Sequence, residues 1–352
     1  MIVLEGFIDL HTHTRYPDFD SFDYREIEES AIIGGYTNIL AMPNSEQPID
    51  CINNLNLAKN IDSRMKINVC RTGSLTKNLQ GKELVNFEEF IQNGVYIFTD
   101  DGKSLVDDNL AEKAFKEVSR LGGAIFQHCE INCHSNPGDI ASNKLNNELI
   151  EIDDYEETSI LKRDLKLVEK YGTRYHAMHI SSKSSVEILN EALNQKLPVT
   201  SEVTPHHLLK NNENMDISDG KYKMYPPLRT EDDRQALIEG LKKNIIQVIA
   251  TDHAPHPLQT KKTSFKLASR GVVGLESTFP MLFTSGIFTI EELSLYLIEN
   301  PKKILKNLGY SLDETTKNGW QDCNKKFTTK SKYDNSIFEN EKIIIERCEV
   351  GI

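Results

Sequence analysis

Short runs of apolar and β-branched residues recur along the chain, and between them apolar positions fall at helical spacing. Eight runs stand out: "GFIDLHTH" at 6–13, "YTNILAMPN" at 36–44, "KINVCRTGS" at 66–74, "GVYIFTDDG" at 94–102, "GAIFQHCE" at 123–130, "RYHAMHIS" at 174–181, "PVTSEVTPHH" at 198–207 and "QVIATDHAPH" at 247–256. Amphipathic stretches such as "LAEKAFKEVSRL" (110–121) and "DDRQALIEGLKKN" (232–244) fill the gaps. Alternating strands and helices predict a parallel sheet. Eight repeats are the arithmetic of a (β/α)8 TIM-type barrel, a single domain of about 250 residues before insertions.

The α/β barrel is expected over residues 1–308. The tail from 309 to 352 changes character: "ETTKNGWQDCNKKFTTKSKYDN" is polar and lysine-rich, and "EKIIIERCEV" (341–350) reads as a final strand. It is expected to be a small appendage packed on the barrel. No repeat of solenoid period and no low-complexity segment interrupts this pattern.

Most of the eight runs end in ionisable residues, and in a barrel of this kind the C-terminal strand ends form the active-site face. Side chains alternate along a strand, so His11 and His13 share a face, grouped with Phe7 and Asp9 and opposed to Leu10 and Thr12. The same parity groups Val95, Ile97, Thr99 and Asp101 as inward and opposes them to Tyr96, Phe98 and Asp100, which makes Asp101 the inward carboxylate. His128, His179 and Asp252 end the fifth, sixth and eighth runs.

Four histidines and two carboxylates at one barrel mouth suit a binuclear centre of zinc or a similar borderline divalent ion. Two such ions lower the pKa of a shared water and polarise a carbonyl, which is hydrolase chemistry. Asp252 is the carboxylate placed to take a proton on attack and return it to a leaving nitrogen. A lone strand histidine is more often a hydrogen-bonded core residue, and His134, His176, His206 and His207 are read that way.

Composition narrows the partners rather than the chemistry. A chain of 352 residues with 38% hydrophobic content can bury a large core, and a net charge of -12 argues against nucleic acid or an anionic membrane. No run approaches the roughly 20 apolar residues of a membrane span, and no leader pattern is seen at the N-terminus, so a cytoplasmic location is expected. The six cysteines, Cys51, Cys70, Cys129, Cys133, Cys323 and Cys348, form no C-x-x-C pair and read as reduced thiols.

The ordered motifs "GFIDLHTHTR", "AMPN", "FTDDG", "HCE", "HISS", "EVTPHHLL" and "ATDHAPH", spread over roughly residues 6–285, resemble those of class I dihydroorotases of the amidohydrolase superfamily. The resemblance implies that His11 and His13 hold one zinc, His128 and His179 a second, that Asp101 bridges them, and that Asp252 is both ligand and acid/base. Other amidohydrolases bridge with a carboxylated lysine, and "TDDG" matches the aspartate branch. The implied reaction closes carbamoyl-aspartate to dihydroorotate and reopens the ring. Arg15, Asn44 and His256 are implied to grip the substrate carboxylate, and Gly271 to lie against the ring. A guanidinium fork beside an amide suits a planar carboxylate, while a surface ion pair is the alternative role for Arg15.

Several features depart from the family. The β-sandwich that normally precedes the first barrel strand is expected to be absent or reduced to the C-terminal piece. "TRYPD" (14–18) replaces the usual "REPG", Tyr225 replaces an asparagine, and Arg270 replaces an aromatic residue. The segment "PLQTKKTSFKLASRG" (257–271), with three lysines, two serines and two threonines, is expected to be a mobile lid. Alternatives are another cyclic amidase, such as a dihydropyrimidinase or allantoinase, and a silent scaffold for aspartate carbamoyltransferase. The small-molecule substrate is the main partner expected; a homodimer and a carbamoyltransferase complex stay open.

Overall fold

The computed structural model describes residues 1–16, 23–131, 139–141, 149–213, 215–333 and 335–349. Cys133 and His134, and Pro17 and Asp18 of "TRYPD", lie outside the described residues.

All eight apolar runs contain strands: β2 (Phe7–Thr12), β3 (Tyr36–Ala41), β4 (Asn68–Arg71), β5 (Ile97–Phe98), β6 (Ala124–Gln127), β7 (Arg174–Ala177), β8 (Val199–Val203) and β9 (Val248–Ile249). They pair in parallel and in sequence order, β2 to β4 in one ladder and β5 to β9 in another. Single parallel bridges join the two ladders, Gly73 with Phe98 and Thr12 with His253, and these complete the ring. Asp9 staples the second seam: its carboxylate accepts from the Thr251 amide at 2.8 Å and from the Thr251 hydroxyl at 2.7 Å.

Two apolar layers follow from strand alternation. Ile8, Leu10, Leu40, Ile97, Phe126, Val248 and Ala250 pack inside the ring, capped by Leu305, Leu308 and Tyr310 at its base. Phe7, Ile39, Phe98, Ile125 and Ile249 face outward against helices, among them Asp108–Arg120 with Ala111, Phe115 and Val118.

This layering corrects two parity assignments. Phe7 lies in the outer layer although His11 and His13 reach the mouth, because the β2–β3 register shifts between Phe7 and Ile8 and again between Asp9 and Thr12. Such an irregularity re-aims the side chains beyond it. Val95 also packs outward, and Tyr96 meets the inner layer edge-on through Tyr310. The assignment holds within β5 itself, where Ile97 is inside and Phe98 outside.

The tail holds more than its final strand. β1 (Ile2–Glu5) pairs antiparallel with β10 (Lys317–Lys326), which pairs with β11 (Lys342–Cys348). Residues 2–5, placed in the barrel by the sequence pattern, therefore belong to the tail sheet. Trp320 of β10 is 1% exposed, stacks on Phe7 and lies tilted against Phe279, which locks that sheet to the barrel. Among the described residues no helix is long and apolar enough to cross a membrane, and Cys51, Cys70, Cys129, Cys323 and Cys348 are free thiols.

Candidate functional site

His11, His13, Asp101, His128, His179 and Asp252 converge at the C-terminal strand ends, all of them buried. Nε2 of His11 lies 3.4 Å from Asp101 and 3.5 Å from Asp252, and Nε2 of His13 lies 3.3 Å and 2.9 Å from the same two carboxylates. Asp101 is also 3.7 Å from Nε2 of His179 and 3.8 Å from Nδ1 of His128, and those two nitrogens are 2.8 Å apart. Two overlapping sets have metal-binding proximity: His11, His13 and Asp252, and His11, Asp101 and His179.

His179 and Asp252 reach the cluster by unusual backbone. Their φ angles are +33° and +47°. A left-handed residue that is not glycine costs of the order of 1–3 kcal/mol and persists only where its surroundings enforce it. At β7 the turn re-aims His179, since strand parity alone would send it away from His176 and Met178. At β9 the Asp9–Thr251 staple sits directly before Asp252 and fixes its direction.

The supporting layer contains a residue that sequence reasoning missed. Glu202 on β8 is fully buried, and its Oε1 lies 2.7 Å from Nδ1 of His11 while Oε2 lies 3.2 Å from Nε2 of His176. An ionised carboxylate only accepts, so it holds the hydrogen on Nδ1 and turns the Nε2 lone pair toward Asp101 and Asp252. That Nε2 is buried without a hydrogen-bond partner. An imidazole nitrogen buried without a hydrogen-bond partner between two buried carboxylates fits a divalent cation. The signal was present in "SEVTPHH", where a glutamate sits mid-strand among apolar neighbours.

Burial alone would lower His11, but Asp101, Asp252 and Glu202 around it push it well above the ordinary imidazole range, a positive charge that a bound cation would supply instead. Burial alone would raise the Asp101 and Asp252 carboxyls, but the imidazoles around them, His11 foremost, outweigh it and hold both below the usual carboxylate range. Burial and then the neighbouring His179 pull His128 down to about 3, so its ring is neutral and free to ligate.

Asp100 points away, as expected. Its carboxylate accepts from the Leu75 and Thr76 amides at 2.8 and 3.0 Å and from the Thr76 hydroxyl. His176 and His207 are hydrogen-bonded core residues, His176 to Thr200 at 2.7 Å and His207 to Thr204 at 2.7 Å. His206 is buried as well, but its Nε2 lacks a hydrogen-bond partner among the described residues.

A cavity of about 210 Å³ opens on the cluster and is also lined by Arg15, His256, Arg270, Gly271 and Tyr225. Arg15 has φ +60° and is flanked by two anchored residues. Thr14 accepts from the Arg71 guanidinium at 3.2 Å, and Tyr16 donates to Asp62 at 2.8 Å, while Arg71 and Asp62 form a buried ion pair at 2.7 Å. The Arg15 guanidinium donates to the Pro255 carbonyl at 3.3 Å and lies 3.3 Å from Nε2 of His256. That Nε2 donates to the Arg270 carbonyl at 2.6 Å. Burial, then the Arg15 and Lys261 charges, pull His256 down to about 3 and keep it neutral.

Gly271 must be glycine: at φ +121° an added Cβ would stand 2.6 Å from the Ala254 Cβ and 3.1 Å from His256. Asn44, expected to grip substrate, lines the cavity, yet its amide is engaged elsewhere. Its Oδ1 lies 2.8 Å from Nδ1 of His13, and its Nδ2 donates to the Asp101 carboxylate and carbonyl, both at 3.1 Å. It orients two of the clustered side chains.

Comparison with known proteins identifies the family. Residues 1–185 match the family model described as Dihydro-orotase-like. A protein of Bacillus cereus named dihydroorotase is 36% identical over 311 residues, covering 85% of this chain and 72% of that one. A dihydroorotase of Bacillus anthracis is 35% identical over the same shares. Among solved structures, an L-hydantoinase from Arthrobacter aurescens superposes with a TM-score of 0.82 at 22% identity, over 98% of this chain and 83% of that one. A D-hydantoinase from Thermus sp. gives 0.79 at 18%, over 98% and 82%, and both likenesses establish the barrel architecture. The chain belongs to the dihydroorotase family of the amidohydrolase superfamily.

Proposed function

We propose that this protein is a zinc-dependent dihydroorotase that interconverts N-carbamoyl-L-aspartate and dihydroorotate in pyrimidine synthesis. One observation carries the reading: a single cavity of about 210 Å³ is lined both by His13, Asp101, His128, His179 and Asp252 and by Arg15. A small ring bearing a carboxylate needs both at once.

His11, His13, Asp101, His128, His179 and Asp252 are the residues that would hold two zinc ions. Bound there, the ions would supply a nucleophilic hydroxide at neutral pH and polarise the ring amide. The chain's residues do the rest. Arg15 binds the substrate carboxylate through charge-assisted hydrogen bonds, and neutral His256 and the bare backbone of Gly271 close the ring's flank. The Asp252 carboxylate takes the proton of the attacking water and returns it to the departing ring nitrogen. In the cyclising direction the same carboxylate removes the proton from the ureido nitrogen.

Hydantoinases and dihydropyrimidinases share the architecture, but Arg15 has no partner on an uncharged ring. A silent scaffolding role is disfavoured because all six ligand positions are filled. A cytoplasmic enzyme acting as a homodimer or beside aspartate carbamoyltransferase is consistent with this reading. The deciding experiment compares turnover of dihydroorotate with that of dihydrouracil, hydantoin and allantoin by zinc-replete protein. Dihydroorotate is expected to be strongly preferred, and preference for an uncharged ring refutes the assignment.

A further inference from the structure

Residues 257–271, expected to be a mobile lid, hold three buried side chains. Lys261, Phe265 and Ala268 are 1%, 4% and 4% exposed, so the segment is anchored through its middle. Lys261 ends a short helix, Leu258–Lys261, and its ammonium lies beneath the substrate-side wall. Nζ donates to the carbonyl oxygens of Lys223 at 2.9 Å, Ser269 at 2.8 Å and Gly271 at 2.9 Å. Burial pulls Lys261 down to about 7, and in its ammonium form it has three hydrogens, so the cage uses every donor.

The three carbonyls come from two stretches of chain that both face the cavity. Lys223 precedes Tyr225 by two residues, and Ser269 and Gly271 bracket Arg270. Backbone bonds complete the tie: the Gly271 amide donates to Lys223 at 3.0 Å, and the Ser269 amide to Thr260 at 2.9 Å. The Arg270 guanidinium then lies 5.0 Å over the Tyr225 ring, which is tilted against His128 at 5.3 Å. The Asn335 side chain of the tail adds bonds to Ala254 and Gly271 at 3.1 and 3.2 Å.

We propose that Lys261 is a positioning residue for substrate recognition: its three-carbonyl cage fixes the backbone at Lys223 and at Ser269–Gly271, so that Tyr225, His256, Arg270 and Gly271 form a wall already built before substrate arrives. The identity of that substrate rests on the dihydroorotase reading; the cage does not. Lysine is rarely buried, and here the buried cation replaces what would otherwise be three carbonyls competing for water.

The test uses the full-length, zinc-loaded protein and Lys261→Met. Wild-type turnover of dihydroorotate is measured first, since its absence would refute the function assigned and leave the cage to be decided by exchange alone. The variant is expected to keep its zinc and a kcat within about threefold, to raise KM for dihydroorotate by about tenfold or more, and to lose about tenfold or more of the hydrogen-exchange protection at the Ser269 and Gly271 amides. Unchanged protection, or a wild-type KM, overturns the proposal. A wild-type measurement serves if the variant does not fold. A preformed wall gives equal exchange over residues 258–271 with and without saturating dihydroorotate, and ligand-induced slowing there overturns it.

Discussion

Nδ1 of His11 lies 2.7 Å from Oε1 of Glu202, a residue 191 positions further along the chain, on the strand next but one around the ring. The pairing decides which nitrogen of His11 faces the cluster. In Glu202→Gln the amide can donate as well as accept, so the opposite tautomer becomes available and the Nε2 lone pair is no longer assured. We expect zinc affinity to fall about 10- to 100-fold with the fold retained. Chelator competition measures this, and a wild-type zinc affinity would show that Glu202 does not orient His11.

Asp100 and Asp101 are neighbours with opposite duties. Asp101→Ala removes the only carboxylate that approaches His11, His13, His128 and His179 together among the described residues, and should lose zinc and activity together. Asp100→Ala leaves the buried Leu75 and Thr76 amides without their acceptor, which costs about 1–3 kcal/mol of stability, and should keep its zinc. Metal analysis beside urea denaturation separates the two, and the reverse pattern would overturn the inward assignment of Asp101.

Much of this site was legible because strand-end chemistry and strand alternation are local properties. From a period of two, "HTH" grouped His11 with His13 and "TDDG" set Asp101 apart from Asp100, and the structure brings His11, His13 and Asp101 together. What alternation could not reach depends on geometry that breaks it. The register shift in β2 sends Phe7 outward while His11 and His13 stay at the mouth, and positive φ at His179 turns its side chain against parity. The tail sheet was only half legible. β10 is polar over much of its length because most of its residues are exposed, and its buried stretch, Asn318 to Trp320, is too short to announce a strand. The lysines of 257–271 read as solvated because the cage that buries Lys261 is made of backbone carbonyls, which a sequence does not display.

Arg15 is held out into the cavity by its neighbours. Thr14 and Tyr16 are tied to the Arg71–Asp62 pair, and Arg71 lies 4.6 Å over the Tyr16 ring, so the strained φ of Arg15 is enforced from both sides. Arg15→Met should raise KM for dihydroorotate by about tenfold or more, the loss expected for a hydrogen bond to a charged group. Turnover of uncharged dihydrouracil should change little. Equal effects on both substrates, measured by steady-state kinetics, would show that Arg15 does not read the carboxylate.

His207 carries the pH prediction. It is 2% exposed, and Nε2 lies 3.1 and 3.3 Å from the Pro226 and Pro227 carbonyls while Nδ1 faces the Thr204 hydroxyl at 2.7 Å. That arrangement suits the neutral ring, with Nε2 donating and Nδ1 accepting. Burial above all, then His179, pulls its pKa down to about 4. The unfolded chain takes up this proton near pH 6.5. Between those two values unfolding binds a proton, so the stabilisation is complete above about pH 6.5 and is lost as pH falls toward about 4, where the loss amounts to about 3 kcal/mol. His207→Gln removes the titrating group and leaves every other histidine in place. In urea melts of chelated protein, the variant should be less stable than wild type at pH 7.5, and the gap should close steadily on the way to pH 4.5. A gap that stays constant across that range would mean that His207 titrates alike in the folded and unfolded chain.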